Sequence, residues 1–336
     1  MPILRQNPIT KQWVIFAPER AQRPIDFIHP SSQRHQRNEA VKCPFCRGHE
    51  TETPPEVDSF RKPGTKPNTP GWAIRVVPNK YPALTPKPPS VRVKTQSIET
   101  EIPGQGQHEV VIFSANHADT IQSISAQNRF QLLTMLQQRI KKTSAVKFIK
   151  YIQVIGNLGR EAGASLSHPH LQIFSLPLLP QQFADELKQT KKYYQAHRKC
   201  LYCELTRKLP AERIIWEDAE IVCFEPFAPS SPFETWIMPK THQSRFEETN
   251  PKTLQSFSES LKQLLTRASR LLQNPPYNFY FHTLPVQEKK YEKSFHWYLV
   301  FKPFIYKIAG FELSTGVFIN SLLPEKAAEF LKKVPQ

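Results

Sequence analysis

Two histidines and a glutamine alternate in the segment 168–172, which has the sequence His-Pro-His-Leu-Gln. The segment follows a loop rich in glycine and serine and continues as an apolar run that ends near Leu176. Because alternate side chains of a β-strand share one face, His168, His170 and Gln172 would lie together. A loop that offers backbone N–H groups beside nucleophilic side chains is suited to binding a phosphate and attacking it.

His170 is the predicted nucleophile. A lone histidine on a half-buried strand is more often structural, but here Pro169 fixes the backbone and Gln172 shares the face. A neutral imidazole, with an ordinary pKa of about 6.5, can attack an α-phosphorus without a separate base. Gln172 can donate hydrogen bonds to a phosphoryl oxygen but cannot protonate a leaving group. The pair therefore predicts catalysis on a substrate whose leaving group departs unassisted, such as a sugar 1-phosphate or a pyrophosphate-type anion.

Four of the five cysteines form two C-x-x-C pairs, at 43–46 and 200–203. In a chain without a secretory signal, such pairs indicate metal or redox chemistry before structural disulfides. Each pair is followed by one histidine before a predicted helix and one on a returning strand, which favours tetrahedral zinc over a redox pair. The two predicted zinc sites comprise Cys43, Cys46, His117 and His168, and Cys200, Cys203, His242 and His296.

The order of predicted elements repeats along the chain. In each half a strand leads to a histidine, then to a helix, a second strand, a loop and a further histidine; the two helices are predicted at 126–142 and 251–272. Where the first half has His170 and Gln172, the second half has Tyr298 and Val300. The repeat predicts a duplicated strand–helix–strand unit in which only the first copy is catalytic.

Length and composition limit the class of protein. The 336 residues can form two domains of ordinary size, and no run of eighteen apolar residues or secretory leader is present, so we expect a cytoplasmic protein without a membrane span. The net charge of +16 suits nucleic acid or small anionic substrates. The basic residues are scattered, however, and a solvated basic surface is the simplest interpretation.

The segment 168–172, together with Asn157, Ser165 and the Cys-Pro-Phe-Cys segment 43–46, resembles the galactose-1-phosphate uridylyltransferase family, a branch of the histidine-triad superfamily. The resemblance extends from the segment 20–24 to the segment 310–312. It implies an α+β fold, a duplicated histidine-triad-like unit with antiparallel sheets and helices packed on one face. Residues 1–180 would form the catalytic half, and residues 181–336 a non-catalytic copy that contributes zinc and substrate contacts.

The resemblance also implies a ping-pong reaction. His170 would take a nucleoside monophosphate from a nucleotide sugar, UDP-glucose in the leading hypothesis, and pass it to galactose 1-phosphate. It further implies one or two structural zinc ions per chain, a homodimer and no nucleic-acid partner. By matching positions, Gln172 and Ser165 would bind phosphoryl oxygens, and Arg20 and Arg23 would hold phosphate. Asn79 and Asn157 would contact the nucleotide. Phe311 and Glu312 would approach the hexose, and a partner subunit could supply them across a dimer interface.

Other functions remain open from the sequence. The second C-x-x-C pair resembles relatives that act as ADP-glucose phosphorylases, which use inorganic phosphate as acceptor, and the family commonly has glycine where this chain has Leu171. A basic zinc protein that binds nucleic acid is a third hypothesis, although zinc needs neither His170 nor Gln172 and no basic stripe is interleaved with aromatic residues. A hydrolase is a fourth, but Gln172 in place of a proton-donating histidine favours a lasting phosphoramidate.

Overall fold

The computed structural model describes residues 1–20, 43–87, 94–96 and 99–335. Its strands, in chain order, are β1 (Ile3–Gln6), β2 (Trp13–Phe16), β3 (Asp58–Arg61), β4 (Trp72–Pro78), β5 (Lys94–Gln96), β6 (Glu99–Glu101), β7 (Gln107–Ile112), β8 (Tyr151–Leu158), β9 (His170–Leu176), β10 (Ile214–Glu217), β11 (Ile221–Phe224), β12 (Thr235–Pro239), β13 (Tyr277–His282), β14 (Tyr298–Pro303) and β15 (Phe318–Asn320). Its α-helices are α1 (Ala126–Ser144), α2 (Gln181–His197), α3 (Leu201–Arg207), α4 (Pro251–Leu271), α5 (Gly310–Thr315) and α6 (Pro324–Lys333).

Ten of these strands form one continuous sheet in the order β3-β4-β7-β9-β8-β13-β14-β12-β11-β10. Every neighbouring pair is antiparallel. The first five strands of this order come from the first half of the chain and the last five from the second half. Counted outward from the central pair β8 and β13, the corresponding strands of the two halves occur in the same order. The sheet confirms the α+β antiparallel class, and the predicted repeat is visible in its strand order. The boundary at residue 180 stays a prediction.

Helices α1 and α4 cover one face of this sheet. The Ser125 side chain accepts a hydrogen bond from the Asn128 backbone N–H at the start of α1, and the Asn250 side chain does the same for Thr253 at α4. Their apolar faces pack into one core with alternate strand residues, including Leu171. The helical spacing in the sequence thus predicted both elements, and each ends within two residues of its expected position.

Helices α2 and α3 lie against the opposite face, over strands of the second half and beside Tyr151 of β8. Phe183 and Tyr202 from these helices pack with Trp236, Tyr298 and Val300 of the sheet. The resemblance implied helices on one face of the sheet, and the sequence did not reveal that α2 and α3 cover the other, since periodicity shows that a helix has an apolar side and not which surface it meets. Consequently Tyr298 and Val300 are buried.

A separate three-stranded sheet joins the two ends of the chain. Strand β2 pairs antiparallel with β1 and parallel with β15, and Val14 and Phe16 pack with Ala228 of the second half. The main sheet ends in β3 and β10, and each of these outermost strands has a shift of register against its neighbour. None of the helices in the described ranges is long and apolar enough to cross a lipid bilayer.

Candidate active site

The loop between β8 and β9 reverses the chain and delivers the two histidines. Gly159 and Gly163 have φ angles of 86° and 88°, in the left-handed region that favours glycine. Between them lies a short 3₁₀ helix, Arg160–Ala162, and the Ala164 N–H donates to the Gly159 carbonyl at 3.1 Å. The chain then returns beside β8 as β9. The small residues of the sequence motif therefore form the turn that places the histidines.

His170 stands at the first position of β9 and is half-buried. Its Nδ1 lies 2.8 Å from the His168 carbonyl oxygen, so this nitrogen carries the proton and donates it there. The lone pair is then on Nε2, which has no hydrogen-bond partner within the described part of the chain. Burial lowers the pKa of His170, which keeps the imidazole neutral. The ring of Phe45 meets His170 edge-on, with 5.4 Å between centroids.

A pocket opens beside His170 at the ends of β8 and β9, lined by Asp119, Thr120, Asn157, Ser167 and Phe279 among others. The Asn157 Oδ1 accepts a hydrogen bond of 2.9 Å from the Asn278 amide, which fixes the predicted nucleotide contact at the pocket wall. The structure thus brings Asn157 and His170 together. Ser165, the predicted phosphate contact, is exposed on the loop that leads to them.

The first predicted metal site is assembled as expected. The ligand atoms of Cys43, Cys46, His117 and His168 all lie within 4.8 Å of one another. The Cys46 Sγ lies 3.4 Å from the Nδ1 of His117 and 3.5 Å from the Nδ1 of His168. Two thiolates and two imidazoles converging in this way are a donor set that fits tetrahedral zinc.

The outer nitrogens of both histidines in this cluster are held by neighbours. The Nε2 of His117 lies 2.9 Å from the Ser167 hydroxyl, and the Nε2 of His168 donates to the Ser114 carbonyl at 2.8 Å. Burial lowers the pKa of His168 to about 4, so the ring is neutral and its Nδ1 can coordinate. Such outer partners orient the ligands of a metal site. No motif in the sequence marked Ser114 or Ser167 for this role.

The second predicted metal site contains three of its four residues. The ligand atoms of Cys200, Cys203 and His242 lie within 4.8 Å of one another. The Cys203 Sγ is 3.3 Å from the His242 Nδ1, while the His242 Nε2 donates to the Glu292 carbonyl at 2.9 Å. This arrangement has the same inward Nδ1 and outward Nε2 as the first site.

His296 lies beside this second cluster but outside the converging set. Its ring centroid is 5.5 Å from that of His242, yet its Nδ1 is 2.9 Å from the Trp297 carbonyl and its Nε2 is 3.1 Å from the Thr241 carbonyl. Both ring nitrogens of His296 face backbone oxygens. Neither points at the cysteines, whereas the Nδ1 of His168 in the first site does. His296 as a fourth ligand stays a prediction.

Gln172 follows His170 on the same face of β9, and it is held by a residue outside the sequence motif. Its Oε1 lies 2.8 Å from the Nε2 of His108, which is on the neighbouring strand β7. The predicted nucleotide contact Asn79 is also here, with its Nδ2 3.1 Å from the same His108 nitrogen. His108 and Gln172 are 64 positions apart in sequence, so only the pairing of the strands reveals their contact.

The remaining predicted substrate contacts are Arg20, Arg23, Phe311 and Glu312. Arg20 ends a 3₁₀ helix, Pro18–Arg20, and Arg23 lies outside the described residues. Phe311 and Glu312 are on α5, which packs against β15. The Phe311 ring is exposed, whereas the Glu312 carboxylate is buried and accepts hydrogen bonds from the Tyr306 hydroxyl and the Ala309 N–H.

Known proteins similar to this chain cover almost all of its length. Residues 1–180 match the family model described as galactose-1-phosphate uridyl transferase, N-terminal domain. An ADP-glucose phosphorylase from Arabidopsis thaliana is 37% identical over 99% of this chain and 93% of its own length. A galactose-1-phosphate uridylyltransferase from Thermotoga maritima is 30% identical over 98% of both chains.

A solved structure has the same fold. The crystal structure of an ADP-glucose phosphorylase from Arabidopsis thaliana with bound ADP-glucose superposes with a TM-score of 0.83 at 36% identity, covering 100% of this chain and 99% of that one. The family match includes the half that carries His170, and the relatives align with almost all of the rest. The chain therefore belongs to the galactose-1-phosphate uridylyltransferase family, a family of transferase enzymes.

Proposed function

We propose that this enzyme transfers a nucleotidyl group from a nucleotide hexose through a covalent intermediate on His170. The observation that carries the proposal is the hydrogen bond from Nδ1–H to the His168 carbonyl, which directs the lone pair of Nε2 outward. This nitrogen attacks the α-phosphorus, and the bond from phosphorus to the bridging oxygen breaks. The sugar 1-phosphate leaves with the electron pair, and its charge needs no protonation by Gln172.

The second step reverses the first with a new acceptor. A phosphate oxygen of the acceptor attacks the same phosphorus, the P–N bond breaks, and its electron pair returns to Nε2 of His170. During both steps Nδ1 keeps its proton, and the His168 carbonyl stabilises the positive charge that develops on the ring. Gln172, Asn79 and Asn157 would bind phosphoryl oxygens and the nucleotide, as the resemblance implies.

We assign zinc to the first cysteine–histidine cluster. Cys43, Cys46, His117 and His168 would hold the ion, which supplies structural cross-linking and no reacting group. Because the His168 carbonyl accepts the Nδ1 proton of His170, fixing His168 also fixes the nucleophile. Cys200, Cys203 and His242 would hold a second ion.

Two combinations of nucleotidyl donor and nucleotidyl acceptor fit this chemistry. Uridylyl transfer from UDP-glucose to galactose 1-phosphate, the leading hypothesis from the sequence, is supported by the Thermotoga maritima relative. Adenylyl transfer from ADP-glucose to inorganic phosphate is supported at least as well, because the Arabidopsis thaliana enzyme has the higher identity and the second cluster of Cys200, Cys203 and His242 is present.

The intact mass of the purified protein after incubation with each nucleotide sugar tests the proposal. We expect a nucleotidyl adduct that is absent from His170→Ala and that disappears when the matching acceptor is added. A uridylyl adduct selects the first pair and an adenylyl adduct the second. A protein that gains no mass with either sugar nucleotide, while folded and loaded with zinc, would contradict both.

We further propose that the enzyme is a cytoplasmic homodimer. The resemblance implies that Phe311 could approach the hexose across the subunit interface. On α5 the side chain of Phe311 is 44% exposed, and that of the neighbouring Leu313 is 77% exposed. Sedimentation of the wild type and of Phe311→Asp tests the dimer, since a charge at a buried interface should shift the protein towards monomer.

A further inference from the structure

We propose that His108 is a positioning residue, which holds the side-chain amide of Gln172 so that its N–H groups face the phosphoryl group at His170. This inference rests on the proposed nucleotidyl transfer and assigns a residue that the sequence motif does not contain. His108 is buried on β7, directly beside β9, and its Nε2 lies 2.8 Å from the Gln172 Oε1.

The backbone decides which nitrogen of His108 carries the proton. The Ala83 N–H donates to the Nδ1 of His108 at 3.3 Å, and a backbone N–H can only donate. In a neutral imidazole the proton is therefore on Nε2, where it is donated to the Gln172 Oε1. Because that oxygen is engaged, the nitrogen of the same amide must point the other way. The pairing thus selects one of the two orientations that a glutamine amide can adopt.

The ring of His108 is itself held firmly. It stacks on Phe174 with 3.9 Å between centroids and an angle of 24° between planes. Its backbone carbonyl accepts a hydrogen bond of 2.8 Å from the Asn79 N–H at the end of β4. Strands on both sides of β7 therefore fix His108, and a fixed donor reduces the number of orientations that Gln172 must lose before reaction.

The same proton affects Asn79. Its Oδ1 accepts from the Tyr81 N–H at 2.8 Å, so its amide nitrogen is the atom that lies 3.1 Å from the His108 Nε2. Two donors face each other at this contact, and the Asn79 amide protons find no acceptor on that ring nitrogen. The Tyr81 N–H therefore orients the Asn79 amide, and the amide protons of Asn79, like those of Gln172, are left available to nucleotide or phosphoryl oxygens.

Two substitutions separate the hydrogen bond from the packing. His108→Phe keeps an aromatic ring on Phe174 but has no donor, whereas His108→Gln restores an N–H at the end of a side chain of similar reach. In single-turnover formation of the nucleotidyl–His170 adduct, we expect His108→Phe to lower the rate at least about tenfold with a smaller change in half-saturating sugar nucleotide. His108→Gln should recover the rate to within about threefold of wild type.

The double variant tests whether His108 acts through Gln172. In a Gln172→Ala background, His108→Phe should lower the adduct rate by less than about twofold, because residues that act as one unit are not additive. An equal loss in both backgrounds, or a Gln variant as slow as the Phe variant, would overturn the proposal.

Nuclear magnetic resonance of the protein without substrate supplies a measurement that does not depend on the reaction. The wild-type His108 ring should show the Nε2–H tautomer, and the side-chain amide signals of Gln172 should shift or broaden in His108→Phe. An Nδ1–H tautomer, or unchanged Gln172 signals, contradicts the positioning role. A wild type that forms no adduct but shows both signatures would instead disprove the proposed function and leave the positioning of Gln172 supported.

Discussion

The backbone of His168 connects the predicted metal site to the predicted nucleophile. Its imidazole belongs to the first cysteine–histidine cluster, while its carbonyl accepts the Nδ1 proton of His170. His168 therefore fixes both the ring orientation and the tautomer of His170. The alternation predicted that both histidines share a face, and the repeat predicted their different roles, but the backbone hydrogen bond that links those roles is visible only in the structure.

At position 172 a single substitution should change the fate of the intermediate. Gln172→His places a group that can donate a proton beside the P–N bond, so we expect water to cleave the adduct more easily. General acid–base assistance of this kind contributes roughly 10² to 10⁴ in rate. The measurement is the half-life of the isolated nucleotidyl–His170 adduct in buffer without acceptor. Gln172→Asn, which has no titratable proton, is the control, and equal half-lives in the two variants would argue against the effect.

At the scale of the elements, the close approach of β8 and β13 depends on Gly156. A Cβ added there would lie 2.4 Å from the Phe279 ring and 2.9 Å from a methyl of Leu171, and both of these side chains are buried. We expect Gly156→Val to lower the free energy of unfolding by roughly 1–3 kcal/mol through overpacking. Urea unfolding measures the change. Gly104→Ala, where a Cβ would meet nothing within 4 Å, should stay close to wild type.

The second half has a buried polar network on the sheet face that carries His170 and Gln172 in the first half. The Glu186 carboxylate on α2 accepts hydrogen bonds from the hydroxyls of Tyr202, at 2.5 Å, and Tyr298, at 2.8 Å, and lies 3.3 Å from His282. Burial would raise the pKa of Glu186, but His282 and the hydroxyl donors outweigh it and hold the pKa below its usual value.

This network predicts an acid-dependent part of stability. A carboxyl group whose pKa is lower in the folded than in the unfolded protein stabilises the fold at pH values above its unfolded pKa of about 4.3. That contribution is lost as the pH falls through the folded pKa. Glu186→Gln lacks it, so the difference in unfolding free energy between wild type and variant should shrink between about pH 5 and pH 3. Metal loss in acid affects both proteins alike. A difference that stays constant across this range would show that Glu186 does not titrate as described.

The elements that the sequence predicted well are those with local signals. The helical spacing of apolar residues predicted the helices at 126–142 and 251–272, and the alternation at 168–172 predicted a strand. What could not be predicted depends on pairing across the sheet. The contact of His108 with Gln172 depends on the register of β7 against β9. The burial of Tyr298 depends on the packing of α2 against the second face of the sheet.

At the scale of the whole molecule, the two cysteine–histidine clusters should differ in importance for catalysis. We expect about two zinc ions per chain if both are filled. Cys43→Ser should remove one zinc and lower adduct formation at least about tenfold, because His168 loses its anchor. Cys200→Ser should remove the other zinc and lower the melting temperature while leaving adduct formation near wild type. Elemental analysis, single-turnover mass measurement and calorimetry check these outcomes. Equal loss of adduct formation in two folded variants would contradict this difference.

The interruptions at the two ends of the ten-stranded sheet have a consequence for how chains meet. An outermost strand presents unpaired N–H and C=O groups that another chain can join, which is how strand-by-strand polymerisation begins. The register breaks between Phe60 and Arg61 in β3 and between Ile214 and Trp216 in β10, so neither edge offers a regular template. Subunits of this enzyme are accordingly expected to associate through surfaces other than the sheet edges, and its long sheet is protected at both ends from growing into a fibre.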